Sequence, residues 1–167
     1  MGKGGPMSDE KQRAIVAEAA IAADLETVWR AWTTEEGLTS FLAPKVNIEL
    51  RPMGRFEPLF DLDREPGKQG AEGMFILAVA PMMMLSFTWN APPHLKEARG
   101  QMTHVCVHFI REGEGTTKVR LVHDGWGEGG EWDEAYDYFD RAWKQVVMPR
   151  LKEALEKGPI TGNSPRC

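Results

Sequence analysis

The chain has 167 residues, 42% hydrophobic and 27% charged, which fits one globular domain with a sizeable core. Its net charge of -5, with no run of Lys or Arg, excludes a general nucleic-acid binder, which needs a basic face to neutralise phosphates. The two cysteines, Cys106 and Cys167, form no C-x-x-C pair, which argues against a zinc knuckle or dithiol redox motif and for a reducing, cytoplasmic compartment.

Met1 to Lys11 lacks the apolar stretch of a signal peptide, and no apolar run approaches the ~20 residues of a membrane span. Residues 1–12 read as a flexible lead in which Gly2 to Pro6 has the composition of an expression remnant and Met7 could be the native start. Arg13 to Ala23 then alternates as a strand, with Ile15, Ala17, Ala19 and Ile21 on one face. Asp24 is placed to cap a short helix whose apolar face is Leu25, Val28, Trp29 and Trp32, and Thr34 to cap a second, Glu35 to Leu42, stopped by Pro44.

Six more strands follow. Val46, Ile48 and Leu50 alternate, Arg51 to Gly54 turns the chain, and Arg55 to Phe60 returns. A polar loop, Asp61 to Glu72, leads to two apolar strands, Gly73 to Ala80 and Met82 to Trp89, joined around Pro81. A second polar loop, Asn90 to Gly100, precedes a hairpin of Met102 to Arg111 and Thr116 to His123. Trp132, Ala135, Tyr136, Phe139, Trp143, Val146, Val147 and Leu151 hold a helical period, so Trp132 to Leu155 is predicted as a long amphipathic helix, kinked where Pro149 removes a hydrogen bond to the Gln145 carbonyl. Gly158-Pro159 ends it, and residues 158–167 read as a flexible tail.

The predicted class is α+β, in the order strand, two short helices, six strands, long helix, with residues 13–157 as the domain. An antiparallel sheet must cover its apolar face, and only the last helix is long enough to do so. A curved sheet of about seven strands around that helix leaves room for a ligand between them.

The segments that carry a family resemblance run through nearly the whole domain. They are Val28-Trp29-Arg30-Ala31-Trp32-Thr33 with Glu36-Gly37-Leu38 and Phe41, then Leu50-Arg51-Pro52-Met53-Gly54-Arg55-Phe56. They continue with Gly73 through Pro81, Leu85-Ser86-Phe87-Thr88-Trp89, Gly115-Thr116, Leu121-Val122-His123-Asp124-Gly125-Trp126, Tyr138-Phe139 and Trp143. In this order they resemble the SRPBCC (START-like, plant-allergen-like) helix-grip superfamily, and within it the Aha-type branch named after the heat-shock-protein ATPase activator. Met53 departs from the usual Gly-Gly pair, and Phe41 stands where Trp is common. The resemblance implies the helix-grip fold and a cavity. It implies no single activity, because the superfamily hosts lipid carriers, hormone receptors, polyketide cyclases and co-chaperones.

The cavity-facing residues are expected to be Trp29 from the first helix, Val46, Ile48 and Phe56 from the first hairpin, and Leu85, Phe87 and Trp89 from the apolar strands. Val105, Val107, Val119, Leu121 and His123 extend the set through the second hairpin, and Tyr136, Phe139, Trp143 and Val147 through the last helix. Met83 is expected inward with Leu85. His123, in phase with Val119 and Leu121, is either an acid/base in the cavity or a core histidine bonded to the start of the last helix. The Tyr136 hydroxyl could orient a ligand or reach solvent at the mouth while the ring packs.

His104, Cys106 and His108 share one strand face, the spacing of a chelate, but the opposite face is the cavity side and no further ligand is evident, so no metal is expected. Asp61, Asp63, Glu65 and Glu72 imitate a calcium loop, yet Pro66 stands where that loop needs Gly. Met82 to Met84 could form an adaptable surface but more simply pack. No cofactor motif is present. The first functional reading is therefore binding of a small apolar, aromatic or lipid-like ligand. The alternatives are a cyclase- or hydrolase-type enzyme using His123, and a co-chaperone or stress-response interaction protein. A homodimer fits the same sequence, and neither nucleic acid nor membrane is an expected partner.

Overall fold

The computed structural model describes residues 13–158; the expected lead and nearly all of the expected tail lie outside the described residues. Strand β1 is Ile15–Ile21, followed by α1, Leu25–Thr33, and α2, Glu35–Phe41. Asp24 caps α1 through its carboxylate, which accepts from the Thr27 N–H at 2.8 Å. Thr34 serves both helices. Its own N–H closes α1 onto the Arg30 carbonyl at 3.2 Å, and its hydroxyl oxygen accepts from the Gly37 N–H at 3.0 Å to start α2. A Cβ on Gly37 would sit 2.5 Å from the Ala31 backbone, so glycine is what lets α2 fold tightly back on α1. Trp32 and Phe41 then meet edge to face, 5.0 Å apart.

The seven strands are antiparallel. Five form one sheet in the order β1-β7-β6-β5-β4, where β4 is Ile76–Ala80, β5 Met84–Trp89, β6 Thr103–Gly113 and β7 Thr116–Asp124. The remaining pair, β2 (Lys45–Ile48) and β3 (Phe56–Leu59), is a separate ladder tied to the first by the Arg55–Phe75 and Leu59–Gly70 bridges. Met53, at the β2–β3 turn, has φ 65°. The left-handed conformation suits glycine, and a side chain there is strained. Its N–H is held by the Ile76 carbonyl at 2.8 Å.

Met83 is not inward. The Met83 N–H returns to the Ala80 carbonyl at 2.9 Å and Met82 adopts φ 63°, so the pair forms the β4–β5 turn and Met83 is 67% exposed. The alternation Leu85, Phe87, Trp89 begins only after it. The second polar loop also contains an element that local sequence does not announce, the four-residue helix α3, Lys96–Arg99. Its N-terminal N–H groups on Glu97 and Ala98 are bound by the Glu131 carboxylate at 2.8 and 2.9 Å, a partner more than thirty residues away.

The final helix runs from Glu131 to Lys157 in three parts: α4 (Glu131–Arg141), a π-helical segment (Ala142–Val147) and α5 (Met148–Lys157). Just before Pro149 the helix widens, and the Met148 N–H reaches back five residues to the Trp143 carbonyl. α-Helical winding then restarts, so the missing N–H of Pro149 falls in a first turn, where it breaks no α bond. Buried Phe139, Trp143, Val147 and Leu151 belong to the core shared with the sheet, while Ala135, also buried, packs with Ala91, Leu95 and Ala98 beside α3. At the β1 edge, Lys152 donates to the Ala20 carbonyl at 2.9 Å and the Ala22 N–H donates to Glu156 at 2.9 Å. No helix among the described residues is long and apolar enough to cross a membrane.

Candidate functional site

Antiparallel alternation decides which loops meet. The β3–β4 loop, the β5–β6 loop and the β7–α4 connection all leave the same end of the sheet, while α1 and α2 close the other. Between these loops and α4 lies a cleft of about 260 Å³. Its walls are Phe60, Trp89, Tyr138 and Phe139, and its rim carries Arg64, Lys68, Gln69, Asn90 and Arg99. The same four aromatic residues also border a narrow inner slot of about 40 Å³, closed by Leu42, Ala142, Trp143 and Val147. A polar-rimmed cleft thus leads to an apolar slot between the sheet and the π segment.

Of the sixteen residues expected to face a cavity, Trp89, Phe139, Trp143 and Val147 border these openings. Most of the others pack one another. Trp29 lies edge-on to Phe109 at 5.1 Å, Phe56 stacks on Phe87 at 4.0 Å, and Val46, Leu85, Val105, Val107, Val119 and Leu121 are buried in the same core, with Ile48 packed at its margin. Aromatic side chains therefore fill most of the space between sheet and helix. Tyr136 faces the β1 edge, where its hydroxyl donates to the Ala14 carbonyl at 3.4 Å, the Arg13 guanidinium sits 5.0 Å from the ring centre, and Trp126 packs at 5.5 Å.

His123 has no exposed surface. The Trp143 indole N–H donates to its Nδ1 at 3.0 Å, and because an indole nitrogen can only donate, Nδ1 must be the unprotonated acceptor. Nε2 then carries the proton and donates to Thr103 Oγ1 at 2.7 Å, and that hydroxyl donates to the Trp89 carbonyl at 3.3 Å. The chain of donors runs one way and satisfies every member. Burial disfavours the imidazolium, with a smaller push from His104, and lowers the His123 pKa from 6.5 to about 3. His123 lines neither opening. This geometry describes a structural histidine that ties β6, β7 and the last helix together.

The floor and rim come from residues that periodicity does not single out. Arg99, mostly buried, donates to the carbonyls of Ala91 at 2.6 Å and of Gly67 and Gly70 at 2.8 Å, joining α3 to both loops. The Glu72 carboxylate accepts from the N–H groups of Gly67, Gln69 and Gly70, so it organises the loop through backbone amides. At the rim, Lys68 pairs with Glu65 at 2.6 Å and Arg64 with Asp61 at 3.8 Å.

The His104, Cys106 and His108 row lies on the outer sheet face. There His104 bonds Asp124 at 3.0 Å and His108 contacts the Cys106 sulfur at 3.3 Å. Burial, with Asp124, raises the Cys106 pKa, the opposite of an activated thiolate. Among the described residues, no three His, Cys, Asp or Glu side chains converge as metal ligands.

Comparison with known proteins supports this geometry at the level of the fold. The family model described as Activator of Hsp90 ATPase homolog 1-like protein matches residues 22–156. A Mesorhizobium loti structure is similar with a TM-score of 0.69 and 24% identity, covering 89% of this chain and 100% of that one. The Aha1 dimer of Colwellia psychrerythraea matches with a TM-score of 0.63 and 22% identity, over 87% of this chain and 98% of that one. An HSP90 activator from Plasmodium falciparum matches with a TM-score of 0.65 and 16% identity, over 88% and 97%. No curated protein matches the chain.

Proposed function

The chain belongs to the Activator of Hsp90 ATPase homolog 1-like family, and from that premise we propose that it is a binding protein that holds a small apolar or aromatic molecule where the cleft meets the inner slot. The observation that carries the reading is the continuity of the two openings, which share Phe60, Trp89, Tyr138 and Phe139. Ligand sites combine apolar walls with a few polar groups at one end, and this opening has that composition. At about 260 Å³ it lies just below the roughly 300–1,000 Å³ common for drug-sized ligands, so the molecule is small.

Native mass spectrometry of gently purified protein, with thermal shifts across a lipid and aromatic-polyketide panel, tests this. A co-purified mass, or a stabilising shift lost in Phe139→Ala, is the expected result. Absence of both a co-purified mass and a shift from any compound would sink it. An enzymatic role for His123 has no support in the geometry, because both ring nitrogens are engaged and the ring lines neither opening.

Chaperone partnership is a second reading. The family description and the Plasmodium falciparum relative favour it, as do exposed Leu50, Met53, Leu77 and Met83, four apolar side chains available to a partner. Stimulation of Hsp90 ATPase turnover by the purified chain is the expected result on that reading, and unchanged turnover at saturating concentration would discard it. The Colwellia psychrerythraea relative forms a dimer, so sedimentation velocity belongs in the same set of measurements.

A further inference from the structure

We propose that the ligand is a small aromatic carboxylic acid, with its arene against the aromatic wall of the cleft and its carboxylate at the Arg64–Lys68 rim. This rests on reading the cleft as a ligand site and adds the chemical class.

The charge distribution points to an anion. The chain as a whole carries -5, yet the cleft is lined by Arg64, Lys68 and Arg99 against a single acid, Asp61. A groove that shares Arg64, Lys68 and His94 with the cleft adds Lys96 and one further acid, Glu65. A locally cationic mouth on an acidic protein attracts anions and repels cations. The nearby acids are already engaged. Glu72 binds loop amides and lies 3.8 Å from Arg99, and Glu134 faces His94 at 3.3 Å.

The rim cations are free to change partners. Arg64 and Lys68 are each more than half exposed, and exposed pairs of this kind are held weakly. Arg99 behaves differently: three of its N–H groups hold loop carbonyls and its guanidinium lies 3.8 Å from Glu72, so it fixes the floor. A carboxylate that bridges Arg64 and Lys68 would exchange two solvent-exposed pairs for charge-assisted bonds partly screened from water.

The aromatic wall of the cleft suits a flat body. Trp89 and Trp143 lie 5.5 Å apart, Phe60 meets Trp89 edge-on at 6.2 Å, and Tyr138 meets Phe139 edge-on at 5.0 Å. These rings touch one another, so they form a continuous wall along which an arene in the cleft can pack. At the rim, the Asn90 amide donates to the Gly70 carbonyl at 3.2 Å, which holds the two loops at a fixed spacing.

Matched probes separate the possibilities. 2-Naphthoate, 2-naphthylmethanol and 2-naphthylmethylamine share one body and differ in head-group charge. Calorimetric titration of the full chain is expected to show naphthoate binding at least tenfold tighter than the alcohol, with the amine weakest and the acid's advantage shrinking in high salt. In Arg64→Glu/Lys68→Glu the acid should fall to or below the level of the alcohol, with an unchanged circular-dichroism melt showing that the variant is folded. If acid and alcohol bind alike, or the reversed variant keeps the preference, the carboxylate assignment is wrong and the cleft remains a ligand site. If no naphthyl probe binds, the assignment fails together with the reading it rests on.

Discussion

Trp32 and Trp143 are both large, buried indoles, and their polar atoms have opposite fates. Trp143 donates to His123, whereas the Trp32 Nε1 is buried without a hydrogen-bond partner. Trp→Phe opens a similar void at each site, but only Trp143→Phe leaves a buried imidazole acceptor unsatisfied. Urea titration should therefore show Trp143→Phe destabilising by about 1–3 kcal/mol more than Trp32→Phe. Equal losses would mean the indole–imidazole bond contributes nothing. His123 also makes stability depend on pH. Its folded pKa of about 3 is below the unfolded value of 6.5, so between those values the unfolded chain binds the extra proton and stability falls as pH falls. The slope approaches about 1.4 kcal/mol per pH unit at most. Measured from pH 6.5 to 5, above the range where carboxylates titrate, the loss should be present in the wild type and accompanied by an imidazole NMR signal that does not shift. A titrating His123 signal in that window would refute it.

Elements whose causes are local were legible in the sequence, and elements whose causes are distant were not. Asp24 and Thr34 announce α1 and α2 because a cap acts within three residues. Helix α3 could not be read, since the carboxylate that satisfies its first N–H groups belongs to Glu131. The slot was half legible for the same reason. Phase assigns Trp89, Phe139, Trp143 and Val147, but nothing in phase distinguishes a core wall from a ligand wall, and the rim depends on how two loops meet through Arg99. The Met53 departure has a structural counterpart in its positive φ. Met53→Gly should relieve strain of roughly 1–2 kcal/mol against a backbone-entropy cost of roughly 0.5–1 kcal/mol, a net gain of about 0.5–1 kcal/mol in denaturant melts. At the next residue a Cβ would lie 2.1 Å from the Glu49 carbonyl, so Gly54→Ala should destabilise instead.

For the molecule as a whole, the two sheet edges are treated differently. Side chains of the last helix cover β1, while β4 meets the β2–β3 turn only as far as Ile76. From Gly73 to Pro93 no residue is charged, so the edge beyond Ile76 lacks the charged side chains that commonly discourage pairing between copies. Leu77, 41% exposed in the β4 bulge, is the place to add one. Leu77→Lys should raise the concentration at which light scattering detects association, with the melting temperature little changed. No effect on scattering would place the sticky surface elsewhere.

The π segment has a consequence for counting residues. Ala135, Phe139, Trp143, Val147 and Leu151 repeat every four positions, and in an ideal α-helix each step of four overshoots a full turn by about 40°. Over the twelve residues from Phe139 to Leu151 this would carry the stripe about 120° around the helix and off the sheet. Accommodating one extra residue in the wide turn returns about 100°, which leaves Leu151 within about 20° of the face that Phe139 presents. The helix therefore contains one residue more than regular winding requires. Removing exposed Gln145, with Pro149→Ala to supply the missing N–H, should leave a folded, cooperatively melting protein. Deleting Asp137 from α4 should rotate Ala135 away from its packing and unfold it.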